Sequence, residues 1–210
     1  MSWAFSTAPA TLGQVPAQAG ETTAPSGGAA ARRPSRRGKR WRRALSAAAL
    51  CAVLAAAATA RLFIWPARGM PAQVNAIVML DAPGYPVGIA LRLARQHRAA
   101  FLIISLGTPD SGPRCPAPVP RVKVICFNPE PATTRGEAEF TGRLARRYRW
   151  RSVALVTITP QDSRARLRVE RCFPGRVYVV TAPIALTSWP VQIAYEWGAL
   201  VKALVIQRSC

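Results

Sequence analysis

Beyond residue 73 the chain alternates short apolar runs with longer segments of mixed polarity. Five runs predict strands: Asn75–Leu80, Ala100–Ser105, Val122–Phe127, Ser152–Ile158 and Arg176–Thr181. Each is nearly continuous in apolar residues, the pattern of a parallel sheet covered on both faces. Helical segments lie between most of them, at Pro86–Gln96, Thr134–Tyr148 and Asp162–Cys172, and a last helix spans about Ser188–Gln207. Ser188 could cap that helix, and Pro190 suits its first turn. Its Ile193, Trp197, Leu200 or Val201, and Leu204 fall on one stripe. Glu196 and Lys202 favour a packed amphipathic helix over a second membrane span. This order predicts an α/β fold: a Rossmann-like, doubly wound, mostly parallel five-stranded sheet with helices on both faces. The crossover Leu106–Arg121 is the exception. Its many prolines rule out a regular helix, and a long loop after a strand's carboxyl end is where such folds place ligand contacts.

The N-terminal part reads differently. Residues 1–31 are rich in Ala, Gly, Pro, Ser and Thr and lack an apolar period, the composition of a disordered segment. Arg32, Arg33, Arg36, Arg37, Lys39, Arg40, Arg42 and Arg43 follow, and no charge occurs from Ala44 to Ala60. Leu62–Trp65 extends the apolar run past Arg61, which could snorkel, to roughly the 20 residues that span a bilayer. Trp65 stands where an interfacial aromatic would. The expected organisation is a disordered, basic cytoplasmic tail (1–43), a transmembrane signal-anchor helix (44–65), a linker (66–73) and an α/β domain (74–210). The basic block should stay cytoplasmic, which puts the C-terminal domain outside. Two variants remain open. Ala58-Thr59-Ala60 could be a cleavage site, although some 43 residues make a long leader. The Ser35–Lys39 stretch matches a twin-arginine signal only in part.

Charge narrows the partners. With 29 Lys+Arg against 9 Asp+Glu the net charge is +20, which suggests nucleic acid, phospholipid headgroups or an anionic glycopolymer. Nucleic acid is the weakest of these, because the aromatic residues are not interleaved with the basic ones as stacking platforms. His97 is the only histidine, so a Ser-His-Asp or Cys-His arrangement would have to use it. A histidine-rich zinc site, a C-x-x-C pair and a glycine-rich phosphate loop are all absent from the sequence. No metal is expected, and no cofactor is assigned.

Three loops should meet at the carboxyl edge of the sheet. In the first, Asp81 follows the opening strand and could bind a ligand hydroxyl or a metal, or simply flank a turn. In the second, Thr133, Thr134, Arg135 and Glu137 open a helix. Thr134 and Glu137 fit the S/T-x-x-E capping box, and the hydroxyls, free N–H groups and guanidinium also suit a phosphate or carboxylate. In the third, Thr157 and Gln161 precede Arg164, a cation in a helix's first turn that opposes the macrodipole. Arg164 is either a surface residue or one awaiting an anion. Glu137 and Asp81 are the only sensible acid/base candidates.

Cys51 falls in the predicted span and four cysteines lie beyond it. In an exported domain four cysteines suggest disulfides, with three possible connectivities. Cys115–Cys126 would tie down the proline-rich loop and Cys172–Cys210 would pin the last helix. Free thiols in a reduced domain are the alternative.

At two motifs the chain resembles the YdcF/SanA/ElyC-like family, the domain of unknown function 218. Pro131-Ala132-Thr133-Thr134-Arg135-Gly136-Glu137-Ala138 is similar to the family's T-x-x-E/N-A helix start. Val156-Thr157 followed by Arg164-Ala165 is similar to its V-T-S-x-x-H-x-x-R-A segment. The likeness covers roughly Val74 to Thr181 and supports Thr134, Glu137, Thr157 and Arg164 residue by residue. It implies a Rossmann-like fold, membrane anchoring and a link to cell-envelope biogenesis. The family histidine falls on Gln161, which cannot serve as a general acid or base. The expected function is a membrane-anchored envelope protein that binds, and could process, an anionic sugar-phosphate or lipid-linked precursor. The alternative is a non-catalytic envelope interaction module with a degenerate site.

Overall fold

The computed structural model describes residues 36–67, 69–107 and 115–210, with side chains from residue 39 onward. The expected disorder of residues 1–31 and the tip of the proline-rich loop lie outside the described residues. Compactness divides the chain into residues 1–44 and 45–210.

The first helix, α1 (Arg36–Thr59), continues through a π-helical turn, Ala60–Ile64. It begins inside the basic stretch, so from Arg36 onward that stretch is helical and not part of a structureless tail. Arginine and lysine are good helix formers, and the helix simply propagates through them. Lys39–Ile64 is one helical segment of 26 residues, long and apolar enough to cross a membrane. At 1.5 Å per residue it is roughly 39 Å long, more than the ~30 Å of a hydrocarbon core.

Next come β1 (Ala76–Met79), α2 (Val87–Arg95), β2 (Phe101–Ser105), β3 (Lys123–Phe127), α3 (Thr134–Tyr148), β4 (Ser152–Ile158), α4 (Asp162–Cys172), β5 (Arg176–Ala182) and α5 (Trp189–Val205). All five strands are parallel, in the order β3-β2-β1-β4-β5. The α/β class and the Rossmann-like arrangement read from the sequence hold.

The apolar runs are continuous because successive side chains serve opposite faces. Ala76, Val78 and Leu80 join Ala138, Ala145, Ala165 and Val169, so α3 and α4 cover one face. Ile77 and Met79 join Ala90 and Ala94 of α2 on the other. Small residues on the helices let them sit close to the Ile-, Leu- and Val-rich strands.

Both cysteine pairings form as expected, Cys115–Cys126 and Cys172–Cys210, and Cys51 is free. The second joins the end of α4 to the tail beyond α5. Pro190 lies in the first turn of α5, but Ser188 makes no side-chain cap. The apolar stripe expected on α5 is also corrected. Glu196, Leu200 and Ala203 are buried, whereas Val201 and Leu204 are exposed. The inward stripe follows the partner for Glu196, and the larger apolar residues are left outside.

Candidate functional site

In this strand order the chain changes direction between β1 and β4, and open α/β sheets bind ligands in the crevice at that point. A cavity of about 510 Å³ opens there. Asp81, Ala82 and Pro83 line it after β1, and Gly107 after β2. The start of α3 contributes Thr133, Thr134 and Glu137, the start of α4 Gln161 and Arg164, and α5 Val191, Gln192, Tyr195 and Glu196.

Two prolines end the strand before α3, and the chain turns tightly into the helix. The Pro131 carbonyl comes so close to Gly136 that a Cβ there has no room. Glu137 is thereby driven against the sheet, 1 % exposed, and its Oε1 accepts the Asp81 backbone N–H at 2.6 Å. Burial pushes its pKa up to about 7. The Asp81 N–H and the Ser105 hydroxyl oppose that rise, the Asp81 charge adds to it, and the Arg164 charge opposes it. Burial also raises the Asp81 carboxyl, against a hydrogen bond from the Ala82 N–H. Gly107, with φ +66°, closes over Asp81, and a Cβ at that position would meet its Oδ2 at 2.5 Å. A buried carboxyl, Glu137, and an exposed one, Asp81, both raised above their ordinary range, thus line the same cavity.

The expected capping box is not what these residues do. The N-cap is Thr133, and no side chain caps α3. Glu137 reaches across to the Asp81 N–H just past β1, and Thr134 accepts from Arg164 Nη1 at 2.5 Å and from Gln161 Nε2 at 3.3 Å. With two donors already directed at it, the Thr134 hydroxyl is left to act toward the cavity as a donor. Gln161 is fixed in turn: its Oε1 accepts the Thr157 hydroxyl at 2.9 Å, and its Nε2 also reaches the Asp81 carbonyl at 3.5 Å.

Arg164 has its anion within the protein. Its Nε and Nη2 donate to the two Glu196 carboxylate oxygens at 2.6 and 2.7 Å, a two-pronged pair that is almost fully buried. Burial alone would lower the Arg164 pKa, but the hydrogen bonds and charge of Glu196 raise it. The expectation that Arg164 is a surface cation or awaits an external anion is therefore corrected. The Tyr195 ring adds a cation–π contact, with the guanidinium carbon 5.6 Å from its centroid.

Of the residues singled out in the sequence, Asp81, Thr133, Thr134, Glu137, Gln161 and Arg164 converge on the cavity. Thr157 lies beneath it, wholly buried, and holds Gln161. Arg135 does not take part. It pairs with Glu139 one turn along at 2.8 Å and reaches the Cys210 carbonyl at 3.4 Å. Glu196, Gln192, Tyr195 and Gly107 were not foreseen. A carboxylate on an otherwise apolar helix stripe was a usable signal for Glu196, because a buried charge needs a partner. Among the described residues no cluster of His, Cys, Asp and Glu suits a metal ion.

The fold and cavity define a parallel α/β domain with a crevice at its switch point that is lined by the carboxyls of Glu137 and Asp81 and one internally neutralised arginine. No family model, curated protein or solved structure matches the chain.

Proposed function

We propose that this is a membrane-anchored protein of the YdcF/SanA/ElyC-like type, with its domain outside the cytoplasm. In this reading its crevice binds and processes a sugar-phosphate or lipid-linked precursor of the cell envelope. The observation that carries the reading is the placement of Glu137 beside Asp81 on a cavity large enough for a sugar. A carboxyl poised near pH 7 can give or take a proton at working pH. In the proposed mechanism Glu137 exchanges that proton with a ligand hydroxyl or a phosphate ester oxygen, and Asp81 orients the ligand. The Thr134 hydroxyl donates to it, and the first turn of α3 receives a phosphate on its N–H groups. Val191 and Tyr195 give the cavity an apolar wall that suits a lipid-linked ligand.

The apolar helix, the arginines before it and the two disulfides support an anchored, exported domain. Thr59 accepts a hydrogen bond from the Trp197 indole at 3.1 Å. That contact favours a retained anchor over cleavage after Ala60.

A second reading, a non-catalytic interaction module, has its own support. Gln161 occupies the family's histidine position, and Arg164 is bound by Glu196 and Thr134. The full chain in detergent, titrated with sugar phosphates, nucleoside-diphosphate sugars and polyprenyl phosphates, separates the two readings by thermal shift. Stabilisation by one class, reduced at least tenfold in affinity by Glu137→Gln, supports the enzyme-like site. No shift with any class, or one that Glu137→Gln leaves untouched, supports the module.

A further inference from the structure

The outer face of α5 is unusual for a helix on a water-soluble domain. Positions three and four apart on a 3.6-residue helix share a face. On α5 they bring Ala194, Val201, Lys202 and Val205 together with Val191 and Tyr195, the two that also border the crevice, opposite the buried Glu196, Leu200 and Ala203. Val191, Tyr195, Val201 and Val205 are each more than half exposed, and Leu186 and Ile206 continue the apolar surface past both ends. Lys202 is the only charge among those six, on a stem long enough to snorkel.

This face is continuous with the contact α5 makes to the apolar N-terminal helix. Trp197 binds Thr59 through its indole N–H, and its ring meets Phe63 edge-on at 5.2 Å. Ser163, at the start of the neighbouring α4, donates to the Leu62 carbonyl at 2.6 Å, which fixes the same joint from a second side. Val201 and Leu204 lie one and two turns beyond Trp197 on α5, so the exposed apolar row starts where the anchor is held. Trp65, just past the anchor, is also exposed.

Charge at the far end of α5 is one-sided. Arg171 donates to the carbonyls of Ala203 and Gln207, and Arg208 to that of Leu204. Among the described residues no carboxylate pairs with either one or with Lys202.

We propose that α5 is a second, interfacial membrane contact: its outer face lies shallowly in the bilayer that the N-terminal helix crosses, with Lys202 and Arg208 against anionic headgroups. An amphipathic helix with an aromatic and cationic border, fixed beside the end of a spanning helix, has the make-up of such a contact. A second copy of the chain is the competing occupant. It has no comparable link to the anchor.

Full-length protein carrying Cys51→Ser can be spin-labelled at Val201→Cys or Val205→Cys and reconstituted in phosphatidylcholine–phosphatidylglycerol vesicles. Arg95→Cys on α2, across the sheet, is the aqueous control. The proposal expects labels at 201 and 205 to meet dissolved oxygen severalfold more readily, relative to a nickel chelate, than the label at 95. Equal chelate access at all three positions would overturn it. So would label–label broadening at 201 and 205 that disappears on mixing with unlabelled protein, because that places a second copy on the face.

Discussion

Leu155, in the middle of β4, and Arg164, at the start of the helix that follows, are both buried, for opposite reasons. Leu155 has no exposed surface and belongs to the apolar cluster between sheet and helices. Any apolar residue of its shape would serve. Arg164 is buried because Glu196 and Thr134 satisfy its guanidinium one donor at a time. The interior is held by apolar area and the crevice by polar pairing, and the two should respond differently to the same kind of truncation.

The largest effect is expected at the ion pair. Glu196→Ala should cost about 3–5 kcal/mol, because it leaves a buried guanidinium without its counter-charge. Leu155→Ala should cost about 2–5 kcal/mol through lost contacts and a cavity. The discriminating variant is the double replacement Arg164→Met with Glu196→Leu. It should recover most of the loss, since apolar pairs of similar volume often replace buried ion pairs at little cost. Chemical denaturation of the three variants in detergent checks this, and a double variant as unstable as Glu196→Ala would contradict the pairing argument.

Next in size is the Cys172–Cys210 bridge, which closes a 38-residue separation across α5. Replacing both cysteines with serine should cost about 3–4 kcal/mol on the chain-entropy view. The loss should show first as faster proteolysis of α5, with the sheet remaining protected.

The third effect depends on pH. Glu137 has its pKa raised to about 7 by burial, from an ordinary 4.5. Between those values the native state holds a proton that the unfolded chain has released, so stability falls as pH rises through that window. Below pH 4.5 the contribution is fully present, and above 7 it is lost. Glu137→Gln, neutral at every pH, should therefore be about 2–3 kcal/mol less sensitive to a change from pH 5 to pH 8. Parallel melting curves for the two proteins across that range would contradict it.

The smallest contrast concerns adjacent threonines. Thr134→Ala removes an acceptor shared by Arg164 and Gln161 and should cost about 1–2 kcal/mol. Thr133→Ala, at an N-cap position with no side-chain hydrogen bond, should fall within about 0.5 kcal/mol of the parent. Equal costs would restore a capping role for the pair.

These contrasts also explain what could be read from the sequence. Strands such as Ser152–Ile158 were legible because burial on both faces demands an unbroken apolar run, and parallel order follows from the helices between them. The disulfides were legible because Cys115 and Cys126 flank one loop while Cys172 and Cys210 end two successive segments. The crevice was legible only in its local parts. Thr134-x-x-Glu137 is written like a capping box, yet the structure uses both residues for contacts to Asp81 and α4, which no local pattern encodes. Arg135 and Arg164 are alike in composition but not in neighbours. Glu139 sits one turn from Arg135 and claims it, a local signal that was there to read. Glu196 lies 32 residues from Arg164, and only the packing of α5 on α4 brings them together.

The proposed chemistry requires Glu137 to titrate in the crevice. Infrared difference spectroscopy of the full-length protein, stepped from pH 5 to pH 9, reads that directly. A protonated-carboxyl band that disappears with a midpoint near pH 7 and is missing from Glu137→Gln is the predicted result. A midpoint below pH 5, or the same band in Glu137→Gln, would contradict it.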